Sequence, residues 1–320
     1  KLARCLPNSL TCWLMTFYRL IRTTTATLAV VTIIAVGGCG LRIGSPPAPI
    51  PTADGPETQR QMVAIALERV TQAAEQDSGT EATDVAEAAQ TYLTDLGGVW
   101  IPPPRDEEPS PVSPAKSDPA SDTVSALHAG LGDIEEALDV VDSAHSEGLV
   151  SMWLTLRSGL SAMENDQHSC QAPCLDLALG TEPFDPTENR DLAQAIAQQA
   201  PELVAIYDAL GYAQEIRAAR SPVGSTQDSR ATSAASLRSF ADHVAHEGLD
   251  DDLDPRQSAY EVDLHDIPAT QGELLEHALS AWIVVAAHAP EARSQALDYL
   301  WHTYQALNPE LSIEVWPGLS

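Results

Sequence analysis

Apolar residues in this chain recur every three or four positions, and the two-residue alternation of a half-buried strand is almost absent. That spacing lines one face of an α-helix, so the chain can bury its apolar surface only by packing helix on helix. Val124, Leu127, Leu131, Ile134, Leu138, Val141 and His145 make the longest stripe, and Gly148 reads as its interruption. Leu149, Trp153, Leu156, Leu160 and Met163 continue on a second segment. Leu192, Ile196, Leu203, Tyr207 and Leu210 make another, nicked at Pro201. A Ser-, Gly- and Thr-containing stretch over residues 221–228 precedes a short helix around Leu237, Phe240 and Val244, which runs into an acidic loop at 250–254. The final pair is the most apolar: Leu274, Ala278, Trp282, Val285 and Ala286, then, beyond Pro290, Leu297, Leu300, Trp301, Tyr304 and Leu307. Its aromatics are expected in the core. Only residues 311–316 alternate, which excludes a parallel-sheet enzyme or a two-lobed α/β solute-binding protein. The expected fold is an all-α helical bundle.

Prolines divide the chain. Residues 57–100 read as a helical pair, with Met62, Ile65, Ala66, Leu67 and Val70 on one helix and Ala86, Ala89, Tyr92, Leu93 and Leu96 on the next. The break falls at 78–80 and the pair ends at Gly97 and Gly98. Seven prolines from Pro102 to Pro119 mark 101–122 as a linker. Residues 123–310 are the main bundle and 311–320 a tail; the spacing leaves open whether the first pair joins that bundle.

The first 38 residues read as a signal peptide, with translation beginning at Met15. Arg19 and Arg22 precede an apolar run from Ala26 to Val36, closed by Gly37, Gly38 and Cys39. The run is about half the roughly 20 residues a spanning helix needs. Val36-Gly37-Gly38-Cys39 resembles a lipobox, the motif at which bacterial lipoproteins receive diacylglycerol on a cysteine thiol and are cleaved before it. The resemblance implies that Cys39 is lipidated and becomes the mature amino terminus. It also implies attachment to the cell membrane on its extracytoplasmic face. Residues 39–56 carry five prolines and read as an extended tether.

Charge narrows the partners. The 320 residues hold 46 acidic and 17 basic side chains, for a net charge of −29. Four of the basic ones precede Cys39, so 13 remain beyond it, and one of these, Lys116, is a lysine. Such a field repels nucleic acid and anionic surfaces. The expected contacts are the membrane, through lipid, and an envelope protein partner.

Outside the cytoplasm, Cys170 and Cys174 are expected to form a local disulfide that pins a turn. A soft-metal site with His168, or a redox dithiol, stays open beside it. No nucleophile elbow or phosphate loop is present, so a non-catalytic domain without a cofactor is expected. A helical bundle also admits a carboxylate-bridged di-metal centre holding iron or manganese. Its candidate ligands are Asp142 with His145, and Glu273, Glu276 and His277 on another helix. Against that, a histidine on an apolar stripe such as His145 reads as a core residue, and Glu276-His277 as a solvated face.

The lipobox with its following Cys39-Gly40-Leu41-Arg42, the tether, the pair ending Leu96-Gly97-Gly98-Val99-Trp100, the proline linker and the long helical region together resemble actinobacterial lipoproteins with a ferritin-like domain of unknown function, the DUF4439-like group. The resemblance implies a four-helix ferritin-like core and no particular chemistry.

Overall fold

The computed structural model describes residues 55–100, 122–141, 143–164, 175, 178, 189–250, 253–309 and 313. All belong to one compact unit, Thr52–Ser320. Among the described residues the regular structure is helical, with nine α-helices: α1 Gly55–Ala74, α2 Thr80–Asp95, α3 Thr123–Leu138, α4 Ser143–Met163, α5 Arg190–Gln199, α6 Glu202–Ala219, α7 Ser225–Gly248, α8 Ile267–His288 and α9 Arg293–Leu307. A single 3₁₀ turn, Pro290–Ala292, joins the last two. None of the described helices is long and apolar enough to cross a membrane.

The helix ends follow from local chemistry. Asp122 caps α3 by accepting from the Ser125 amide at 2.8 Å, and Asp266 caps α8 by accepting from Ala269 at 3.1 Å. Pro201, which has no amide hydrogen, separates α5 from α6. At the end of α2, Gly97 and Gly98 adopt φ of +81° and +74°. The Gly98 amide donates to Leu93 O at 2.8 Å and the Gly97 amide to Thr94 O at 2.9 Å. That is a Schellman stop, and its left-handed backbone requires glycine.

The first four helices close a ring: α1 packs on α2 and α3, and α4 packs on both of these in turn. The pair at 57–100 therefore belongs to the same core as the later helices. On the other side α8 packs against α4, α6 and α9, while α7 lies on α5 and α6. One apolar cluster runs from Val63 in α1 to Ala306 in α9. Trp282, Trp301 and Tyr304 are buried in it, as expected for residues that seal the core.

Several polar groups inside this core are matched to one another. Tyr92 of α2 shares a hydrogen bond of 2.9 Å with Thr155 Oγ1, and Tyr304 of α9 one of 3.1 Å with Ser158 Oγ. Both partners lie on α4. Trp282 Nε1 donates to Tyr207 Oη at 3.0 Å, which also meets Thr303 Oγ1 at 3.2 Å. Burial pushes the Tyr207 phenol up to about 12. Arg293 stitches a corner: Nε donates to Ala286 O at 3.0 Å and Nη1 pairs with Asp139 at 2.5 Å.

Three details differ from the expectation. The stripe that ran through Leu138, Val141 and His145 spans two helices, because α3 stops at Leu138 and a turn precedes α4. Gly148 does not interrupt α4 but is buried within it. The helix around Phe240 is not short: α7 has 24 residues. Its first turns are rich in Ser and Thr, whose hydroxyls bond back to the preceding turn, as in Thr232 Oγ1 to Asp228 O at 2.9 Å, so apolar spacing is silent there. Of residues 311–316 only Ile313 is described, and it packs on the core.

Small residues set the helix spacing. A Cβ at Gly248 would lie 2.7 Å from Ala193 O and 2.8 Å from Ala197 Cβ of α5, whereas one at Gly132 of α3 would meet nothing within 4 Å. Gly248→Ala is expected to lose about 1–3 kcal/mol through overpacking, and Gly132→Ala to gain about 0.5–1 kcal/mol through helix propensity. Urea unfolding of the two variants checks both signs.

Candidate functional site

A cleft of about 560 Å³ opens where the first turns of α1, the end of α2 and the start of α4 meet. Val63, Leu96, Val141 and Leu149 give it an apolar lining, and Glu57, Gln59, Arg60, Asp95 and His145 give it polar groups. Its shape depends on Arg60. The guanidinium forks onto Glu57, with Nε to Oε2 at 2.8 Å and Nη2 to Oε1 at 2.7 Å. Its remaining nitrogen, Nη1, donates to Leu96 O and, at 3.1 Å, to Gly98 O. Arg60 thus ties the first turns of α1 to the carbonyls left over by the Schellman stop. Gln61 completes the tie, donating to Glu57 Oε1 at 3.0 Å and accepting from the Trp100 amide at 2.8 Å.

This wiring decides which charges face a ligand. Hydrogen bonds from Arg60, then from Gln61, hold the Glu57 carboxyl down at about 2, well below its ordinary 4.5. Arg60 in turn is locked to Glu57, which raises its own pKa. The pair is therefore a structural clamp rather than a free cation. Asp95 is exposed and forms no ion pair among the described residues. Gln59 Oε1 is buried with no hydrogen-bond partner. A buried acceptor of that kind carries a desolvation cost.

The residues singled out from the sequence scatter. His145 is exposed at the cleft rim, not in the core, because the turn before α4 swings it off the apolar face. Glu273, Glu276 and His277 are exposed on the first half of α8. His288, at the far end of α8, bonds Glu147 at 3.0 Å beside the start of α4. Glu276 is thus twelve residues from the His145 region, about 18 Å along a helix. Among the described residues no three His, Cys, Asp or Glu side chains gather to hold a metal ion. Cys39, Asp142, His168, Cys170 and Cys174 lie outside the described residues.

Gln59, Arg60 and Asp95 were not singled out by the sequence. The available signal was Arg60 itself, a scarce cation three residues after Glu57 and so on one helix face with it.

The depressed carboxyl fixes a pH response. Because the folded value lies below the ordinary one, the clamp's contribution is complete above about pH 4.5 and is lost as pH falls toward about 2. The Trp100 amide NMR signal of the folded wild type should hold steady near pH 4.5, shift as pH approaches about 2, and stay flat in Glu57→Gln. Arg60→Leu, which strands two partly exposed carbonyls, should cost about 1 kcal/mol. No family model, curated protein or solved structure matches this chain.

Proposed function

We propose that the chain is a lipid-anchored protein of the extracytoplasmic face of the cell membrane, whose helical domain binds a partner and carries out no chemistry of its own. Cys39 is the anchor in this reading, and the prolines of residues 39–56 hold the domain away from the bilayer. The resemblance to lipoproteins with a ferritin-like domain of unknown function is compatible with this address.

The observation that carries the binding role is the cleft itself, which joins an apolar lining of Val63, Leu96, Val141 and Leu149 to the Gln59 amide and the exposed Asp95. Such a cleft suits a group that donates hydrogen bonds, carries positive charge and has an aliphatic neighbour, as a basic segment of an envelope protein does. The net charge of −29 steers cationic partners toward it.

Two measurements test the halves separately. Radioactive palmitate should label the wild type and not Cys39→Ser; equal labelling would overturn the anchor. A short peptide with lysine between two leucines should bind in a fluorescence titration, and its glutamate counterpart should not. Gln59→Leu and Asp95→Asn should each weaken binding by about tenfold. Equal affinity for the two peptides would overturn the cleft's role.

A further inference from the structure

Arginine is scarce in this chain, and most of the described arginines are matched. Among the described residues Arg60, Arg69, Arg190, Arg238, Arg256 and Arg293 each lie within 4.0 Å of a carboxylate. Arg157 stands over the Trp301 ring, 5.1 Å from its centroid. Three others differ, and they are neighbours. Arg217 and Arg220 sit at the end of α6, and Arg230 lies in the second turn of α7.

Each of the three is held by a neutral acceptor. Arg217 Nη1 donates to Gln271 Oε1 at 3.1 Å, and Gln271 is itself fixed by its bond to Gln214 at 3.0 Å. Arg230 Nη1 donates to Ser221 Oγ, which donates to Arg217 O at 2.8 Å. Arg220 Nη1 donates to Leu264 O at 2.5 Å. These bonds orient the guanidinium groups and leave most of their N–H donors over. Arg217 also loses proton affinity, first through burial and then through the charge of Arg230, so two like charges face each other across the turn.

Three carboxylates close by in sequence have partners of their own. Asp263 accepts from the His265 amide at 2.8 Å, Asp266 caps α8, and Glu215 pairs with Arg238. Asp228, exposed in the first turn of α7, forms no ion pair with any of the three. In a chain with 46 acidic residues, three adjacent cations without one stand apart. A single arginine fork satisfies the two oxygens of a carboxylate, whereas three guanidinium groups suit the oxygens and higher charge of a phosphate group. Val223, 94% exposed, and Leu264, 48% exposed, border the cluster with apolar surface.

We propose that Arg217, Arg220 and Arg230 form a binding site for a phosphate group, carried either by a phospholipid head group or by a free phosphate. The site shares no residue with the cleft and stands independently of the reading given to it.

The full chain in a neutral maltoside detergent is titrated calorimetrically with inorganic phosphate and with monomeric short-chain phosphatidylglycerol, each against chloride at matched ionic strength. One or both should bind above chloride, and the tighter of the two identifies the source. Arg220→Gln and Arg230→Gln should each weaken that binding by about tenfold, while Arg190→Gln, on a paired arginine elsewhere, leaves it unchanged. Circular dichroism confirms that the variants fold. The proposal is overturned if neither ligand exceeds chloride, or if the double variant Arg220→Gln, Arg230→Gln binds as the wild type does.

Discussion

Close approach of helices through small side chains is the constraint on which the rest of this fold depends. Alanines such as Ala64, Ala89, Ala126, Ala193, Ala213 and Ala286 are fully buried, and Gly159, Gly211 and Gly248 each have a neighbour where a Cβ would stand. Alanine carries the strongest helix propensity, so the residues that allow close packing also favour the helices that pack. Alanine fills little volume, so larger side chains must complete the core. Trp282, Tyr207, Phe240 and Tyr299 answer that need at the α6–α9 side, where the Trp282 and Tyr299 rings stack with centroids 5.0 Å apart.

That arrangement puts polar groups where they can be satisfied. Short side chains on α4 leave room for serine and threonine hydroxyls to meet the phenols of Tyr92 and Tyr304. The same compactness brings the first turns of α1 close to the end of α2, where Arg60 reaches the two carbonyls. The cleft is thus a by-product of how two helices end: glycine turns one chain away, and an arginine fills the gap it leaves.

Much of the architecture was legible because it rests on periodicity. The break before α2, the stop at Gly97 and Gly98, the nick at Pro201 and the burial of Trp282 and Tyr304 all leave a mark in residue spacing or in backbone chemistry. What escaped has a common cause. In sequence His145 extends a stripe because three-and-four spacing survives a turn of the right length, and α7 hides its start behind polar residues. The candidate cleft was silent for a different reason, since Gln59, Arg60 and Asp95 acquire meaning only from partners far along the chain. Gln61 and Trp100, thirty-nine positions apart, illustrate the distance involved.

The described arginines are mostly turned inward as stitches: Arg60 to a helix end, Arg238 to Asp208 and Glu215, Arg256 to Asp254, Arg293 to Asp139. Their cationic character is therefore muted at long range, and what the molecule radiates is a carboxylate halo. Two copies approaching in physiological saline sense each other only within about 8 Å, but in dilute medium near 0.01 M that reach extends to about 30 Å. Crowding of identical copies is thereby resisted most where the surroundings are freshest.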